Sequence, residues 1–178
     1  MFHILKYFFL LLLVCEATSS LLSSYLSLIK TIGTEFQLKN LVLVTDQAVT
    51  KHVYEQMHMD VQIINYKDLD KMKIFDKMPK CGVFVQIENE DKVGHFLKEV
   101  KQENDIDGTL FTKTHWFIFL SKDISLEMVF RFDSKVFIIQ RINKDKNSYK
   151  ILETFSIDQS SIITQVVGDY STDYGLGL

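Results

Sequence analysis

Two strand-like runs, Val83-Phe84-Val85-Gln86-Ile87, which Cys81-Gly82 leads into, and His115-Trp116-Phe117-Ile118-Phe119-Leu120, bracket a segment in which Val93, Phe96, Leu97 and Val100 fall on one helical face. Each run is short and mostly hydrophobic, as a strand is, and the second is the most hydrophobic of the chain's strand-like runs. The segment between them has the i, i+3, i+4, i+7 spacing of an amphipathic helix. Asn89 is placed to cap it, and Glu90 and Asp91 complement its N-terminal dipole. Asn104-Asp105-Ile106-Asp107-Gly108 supplies the turn back to the second strand. Strand, helix, strand is the unit from which parallel sheets are built.

The same alternation extends toward the N-terminus. Leu41-Val42-Leu43-Val44 reads as a buried strand, and Val61-Gln62-Ile63-Ile64 as another. Between them Asp46 can cap a helix whose Ala48, Val49, Val53 and Met57 share a face. A weaker helix carries Leu69, Met72 and Phe75 and ends near Pro79. Ahead of the first strand, Leu21, Leu22, Tyr25, Leu26, Leu28, Ile29 and Ile32 form a wide apolar stripe, with Ser19 or Ser20 as cap and Gly33 as stop.

Toward the C-terminus the grammar changes. Residues 124–129 suit one or two helical turns. Lys135 to Arg141 and Tyr149 to Ile157 both favour strand, and the polar stretch Asn143-Lys144-Asp145-Lys146-Asn147 joins them as a hairpin. The remainder, 161–178, holds turn formers and reads as a linker. The expectation is one α/β lobe over 20–160: a mostly parallel sheet of about four strands, helices on both faces, then a C-terminal antiparallel hairpin. A two-lobed clamshell would need roughly 300 residues, so no interlobe cleft is expected.

The first residues address the chain to the secretory pathway. Lys6 precedes the apolar run Tyr7 to Val14, and Cys15, Ala17 and Ser19 offer small residues for cleavage, which assigns 1–19 to a signal peptide. The rival, a signal anchor, needs roughly 20 apolar residues, and the run is too short. Hydrophobic residues make up 47% of the chain and charged residues 24%, an ordinary globular balance. The formal net charge of -3 speaks against nucleic acid as a partner, since such domains carry a basic excess. With Cys15 in the leader, Cys81 is alone in the processed domain. It is either a small buried hydrophobe or the half of a pair with another chain.

The chemistry of an enzyme is not in evidence. The loop after the first strand, Thr45-Asp46-Gln47-Ala48, has no glycine to let backbone N–H groups close on a phosphate. Neither a C-x-x-C nor a G-x-S-x-G motif occurs. His52, His58, His95 and His115 are scattered, and the spacing of the first two does not suit a shared helical face. Asp46 already has work as a cap, Asp105 and Asp107 flank a turn, and Trp116 falls mid-strand as core. Lys144-Asp145-Lys146 is a solvated hairpin tip. No catalytic, cofactor-binding or metal-ligating residue is assigned, no ligand-binding residue is identified, and the expected class is non-enzymatic.

Five stretches occur in a telling order: Thr114-His115-Trp116-Phe117-Ile118-Phe119, Phe132-Asp133-Ser134-Lys135-Val136-Phe137-Ile138, Tyr149 to Ile157, Gly168-Asp169-Tyr170-Ser171 and Gly175-Leu176. Together they resemble the N-terminal extracellular region of arthropod variant ionotropic receptors, chemosensory relatives of ionotropic glutamate receptors, the acid-sensing subgroup above all. Phe155 stands where that family often has tyrosine, and Tyr170 where it often has tryptophan. The resemblance implies a domain that pairs with other receptor subunits, acts in assembly or surface delivery, and meets the membrane only through a C-terminal part beyond this tract. It implies a place on the extracellular face of the plasma membrane; a free-standing domain would be secreted. The alternative expectation is a secreted, flavodoxin-like small-molecule-binding or hydrolytic domain.

Overall fold

The structure, a computed structural model, describes residues 25–46, 59–68, 80–87, 89, 91–104, 109–120, 130–143, 148–157 and 161–178. The assigned signal peptide and the helices expected over 48–57, 69–75 and 124–129 lie outside the described residues. So do Asp105, Asp107 and the Lys144-Asp145-Lys146 tip.

The first described element is a helix over 25–35, α1. Leu28, Ile29 and Ile32 are fully buried on its inner face, while Lys30 and Thr34 point to solvent. Gly33 does not stop it. The helix ends where Gln37 takes a left-handed φ of 50°, the Gln37 N–H donates to the Thr34 carbonyl (3.1 Å), and the Leu38 N–H donates to the Gly33 carbonyl (2.8 Å). That pair of bonds is a Schellman closure, which satisfies carbonyls a helix end otherwise leaves open. Gly33 instead makes room: a Cβ there would meet the Met59 thioether at 2.7–2.8 Å.

Eight strands follow: β1 (Asn40–Thr45), β2 (Asp60–Asn65), β3 (Cys81–Gln86), β4 (His115–Leu120), β5 (Val136–Asn143), β6 (Ser148–Phe155), β7 (Ile163–Ser171) and β8 (Gly175–Gly177). Two further helices, α2 (Asp91–Asn104) and α3 (Leu110–Lys113), lie between β3 and β4. Asn89 caps α2 through its side chain, which accepts the Asp91 N–H at 3.1 Å. All eight strands form one sheet in the order β2-β1-β3-β4-β5-β6-β7-β8.

This overturns the expected lobe of about four mostly parallel strands between helical layers, ending in a hairpin. Among the described residues the sheet has eight strands, and the four pairings that join β1 to β5 are parallel while the three that follow are antiparallel. β5 pairs antiparallel with β6, but it also pairs parallel with β4, from Trp116 opposite Val136 to Leu120 opposite Gln140. The hairpin is therefore an extension of the parallel block and not a separate addition. The segment 161–178, expected as a linker, carries β7 and β8, both antiparallel members of the same sheet.

The pleat sorts side chains onto two faces. Leu41, Leu43, Phe84, Phe117, Phe119, Phe137, Tyr149, Ile151 and Tyr170 face α1 and enclose its Leu28, Ile29 and Ile32. Val42, Val44, Val83, Val85, Trp116 and Ile118 face the other way, against Val93, Phe96, Leu97 and Val100 of α2 and Leu110 and Phe111 of α3. The sheet is thus the shared wall of two apolar layers over its parallel half. On the α2 side the antiparallel end is more open. Val166 of β7 is 63% exposed there, opposite a partly buried Leu152.

Candidate functional site

In an open sheet of this kind a ligand sits beyond the carboxyl ends of the strands, where the strand order reverses. Here the chain passes from β1 to β2 in one direction and to β3 in the other, so the reversal lies between β1 and β3. Thr45 is buried at that end and Asp46 follows it half-buried. Gln86 ends β3, and Ile87 packs into the α2-side core. Tyr66 turns back over the strand end, its N–H donating to the Thr45 carbonyl at 3.2 Å. Lys67 and Lys92 place their Nζ atoms 5.8 and 5.7 Å from the Tyr66 ring centroid. The Asn89 amide oxygen is engaged in capping α2.

What this end can do chemically is limited by what converges on it. Two ammonium groups flank a tyrosine ring, an arrangement of the cation–π type at an exposed site. The role of Asp46 as a helix cap concerns residues outside the described ones. No group of three or more His, Cys, Asp and Glu side chains able to hold a metal ion occurs among the described residues.

The remaining candidates are dispersed. Cys81 opens β3 and is buried in the α2-side core, where desolvation pushes its thiol up to about 12. A thiol held protonated in this way is neither a nucleophile nor a metal ligand at neutral pH. Trp116 is core, packed beside Phe111 with ring centroids 4.9 Å apart. His95 lies on the outer face of α2, with Nδ1 3.4 Å from a Glu99 carboxylate oxygen one turn on. His52 and His58 lie outside the described residues.

His115 stands at the amino end of β4, away from the strand ends where ligands collect. Its ring lies parallel to those of Phe117 and Phe137, at 6.4 Å from each, with the Phe36 ring edge-on at 5.4 Å. Desolvation among these rings, helped by the positive charge of Lys135, lowers its pKa to about 4. The imidazole is therefore neutral in the folded protein down to that pH, while the unfolded chain takes up the proton at the ordinary value near 6.5. The unfolded state then binds more protons between the two values, so stability falls as pH drops from 6.5 toward 4. Denaturant titrations at pH 7 and pH 4.5 are expected to show this loss in the native sequence. In His115→Phe, which keeps the stacking and removes the titration, the difference between the two pH values should shrink. An unchanged difference would place the sensitivity elsewhere.

Sequence reasoning did not anticipate the aromatic layer that joins the two halves of the sheet. Phe84, Phe117 and Phe137 stack across β3, β4 and β5, with centroids 4.7 and 5.2 Å apart and planes within 18°. Tyr149 and Tyr170 continue it on β6 and β7 at 6.2 Å. The Tyr170 hydroxyl lies 2.9 Å from the Ser27 hydroxyl of α1, so β7 is tied to the first helix by a part-buried polar contact at the rim of the apolar layer. The only advance signal was an aromatic in each of the successive motifs from Thr114 to Tyr170.

Among the described residues no helix is long and apolar enough to cross a membrane. No protein-family model matches the chain, and no curated protein matches it.

Proposed function

We propose that this chain is the N-terminal extracellular domain of a ligand-gated chemosensory ionotropic receptor, working in subunit assembly or surface delivery and not in catalysis. One observation carries the reading. The five stretches that resemble the receptor family lie on β4 to β8 and the turn leading into β5, a set of consecutive neighbours in one sheet. Phe117, Phe137, Tyr149 and Tyr170 from those stretches meet on the face beneath α1. Short degenerate motifs are weak when scattered. They carry more weight when each supplies a side chain to one packed layer, because packing constrains all its members together.

The parallel half, β2-β1-β3-β4-β5, has the strand order of flavodoxin-like sheets, and this favours the second reading, a secreted small-molecule-binding or hydrolytic domain. Against it stands the glycine-free loop after β1. Reading the transcript past the codon for Leu178 separates the two. A continuation in frame that encodes three spanning segments and a divided ligand-binding domain is the expected result. A stop codon at that point in every transcript would move the assignment to the second reading.

A further inference from the structure

We propose that two copies of this chain join edge to edge through β7, antiparallel about a two-fold axis at Thr164, making one continuous sheet. β7 runs from Ile163 to Ser171, and β6 pairs with it along its whole length. On its other side β8 pairs only with Asp169, Tyr170 and Ser171. Among the described residues, the stretch ahead of Gly168 therefore has no strand on its outer side. Unpaired edges of this kind invite a further strand, and proteins usually blunt them with charge, proline or a covering element. This edge has neither charge nor proline: Ile162-Ile163-Thr164-Gln165-Val166-Val167-Gly168 is neutral throughout.

The side chains indicate what completes it. Ile163 faces the α1 side, opposite Phe155, and Val167 packs against the core there. Val166 faces the other side, opposite Leu152. An outermost strand with apolar residues on both faces has the pattern of an interior strand. A helix or loop laid on the domain would cover one face only. A second sheet edge covers both, because it brings its own side chains to each.

The occupant is a second copy because the free stretch is complementary to itself. Its regular part ends at Val167, where the pairing with β6 shifts register between Ile151 and Leu152. Centring the axis on Thr164 sets Ile162 opposite the second copy's Val166, and Thr164 opposite its own copy. Ile162 and Val166 are 37% and 63% exposed, and each then gains an apolar partner. The threonine pair is a favourable one across antiparallel strands. A charged strand would set like charges face to face in such a pairing; a neutral one does not. Self-pairing of one edge also closes, whereas pairing of β7 with the distant β2 edge would run on into fibres.

The inference rests on the assembly reading for its biological sense, and its test is separate from the transcript that decides that reading. The processed chain, purified from secretory cells, is examined by sedimentation velocity over a concentration series beside Thr164→Lys, Thr164→Cys and Thr172→Cys. Thr164 and Thr172 are both exposed, so these changes leave the core in place. The expected results are a reversible dimer for the native sequence and a monomer with an unchanged melting midpoint for Thr164→Lys, where two ammonium groups would meet at the axis. Under mild oxidation Thr164→Cys should give a covalent dimer on a non-reducing gel, since directly opposed strand residues lie within disulfide reach. Thr172→Cys, beyond the free stretch, should not. A native monomer at every concentration, a dimer that survives Thr164→Lys, equal cross-linking by the two cysteine variants, or open-ended fibres would each overturn the proposal.

Discussion

Phe117→Ala is expected to lower the unfolding free energy by about 3–5 kcal/mol, the usual cost of emptying a large aromatic site in a core. Phe117 is fully buried in β4, the strand that links the first three strands to β5 and the antiparallel end. It stacks on Phe84 at 4.7 Å and on Phe137 at 5.2 Å, and the Phe36 ring meets it edge-on at 5.3 Å. Truncation removes the middle of a three-strand stack, so its neighbours lose packing on both sides and the hole cannot close by a local shift. Against a typical domain stability of about 5–15 kcal/mol, that loss leaves a marginal fold. Urea titration of the two proteins measures it directly. Phe117→Leu, which keeps most of the volume, should recover a large part of the stability. A cost below about 1 kcal/mol for the alanine variant, the range of a surface change, would mean that the stack does not form.

Ile29→Glu should cost more than about 4 kcal/mol, the range reserved for a charge driven into a core without a partner. The wide apolar arc of the first helix could serve as core or, where it is wider than one sheet face needs, as a contact surface, and its Leu21 and Leu22 lie outside the described residues. The structure places Leu28, Ile29 and Ile32 against Leu41, Leu43, Phe84 and Phe119, fully out of solvent. Tyr25, at the edge of the arc, meets Phe119 edge-on at 5.1 Å and Tyr149 at 5.8 Å. Among the described residues that layer offers no cation to a carboxylate at position 29, so the variant is expected to lose its folded near-UV spectrum. Lys30→Glu, one residue on and exposed, should fold as the native chain does. If Ile29→Glu folded normally and only failed to self-associate, the helix would be a contact surface and the β7 edge would lose its claim.

The sheet edges explain why half of the strand pairing escaped a reading of the chain. A run such as Leu41-Val42-Leu43-Val44 is continuously apolar because both of its faces are covered, so its strand character is written in the residues themselves. β7 lacks that continuity: Thr164 and Gln165 interrupt it, Gly168 follows, and the sequence pattern matches a loop as well as a strand. Gly168 is there for a close approach, since a Cβ at that position would meet the Gly177 carbonyl oxygen of β8. A glycine that serves a strand with three residues still to run before a turn looks, in sequence, like any turn glycine.

The residues alone determined the local elements. The apolar runs at β1, β3 and β4, the helical face of Val93, Phe96, Leu97 and Val100 in α2, its cap at Asn89, and the polar break between β5 and β6 all follow from spacing and side-chain chemistry within a few positions. Only the tertiary structure decided that β5 lies parallel to β4, that β7 and β8 extend the sheet, that α1 ends at Gln37, and that His115 sits between phenylalanine rings. The physical reason is that a pleated strand encodes which side chains point to which face, but not which strand lies beside it. Its backbone N–H and C=O groups are the same in every residue and accept a parallel or an antiparallel neighbour. The choice is made by the layers that must be filled above and below, here by α1 on one face and α2 with α3 on the other.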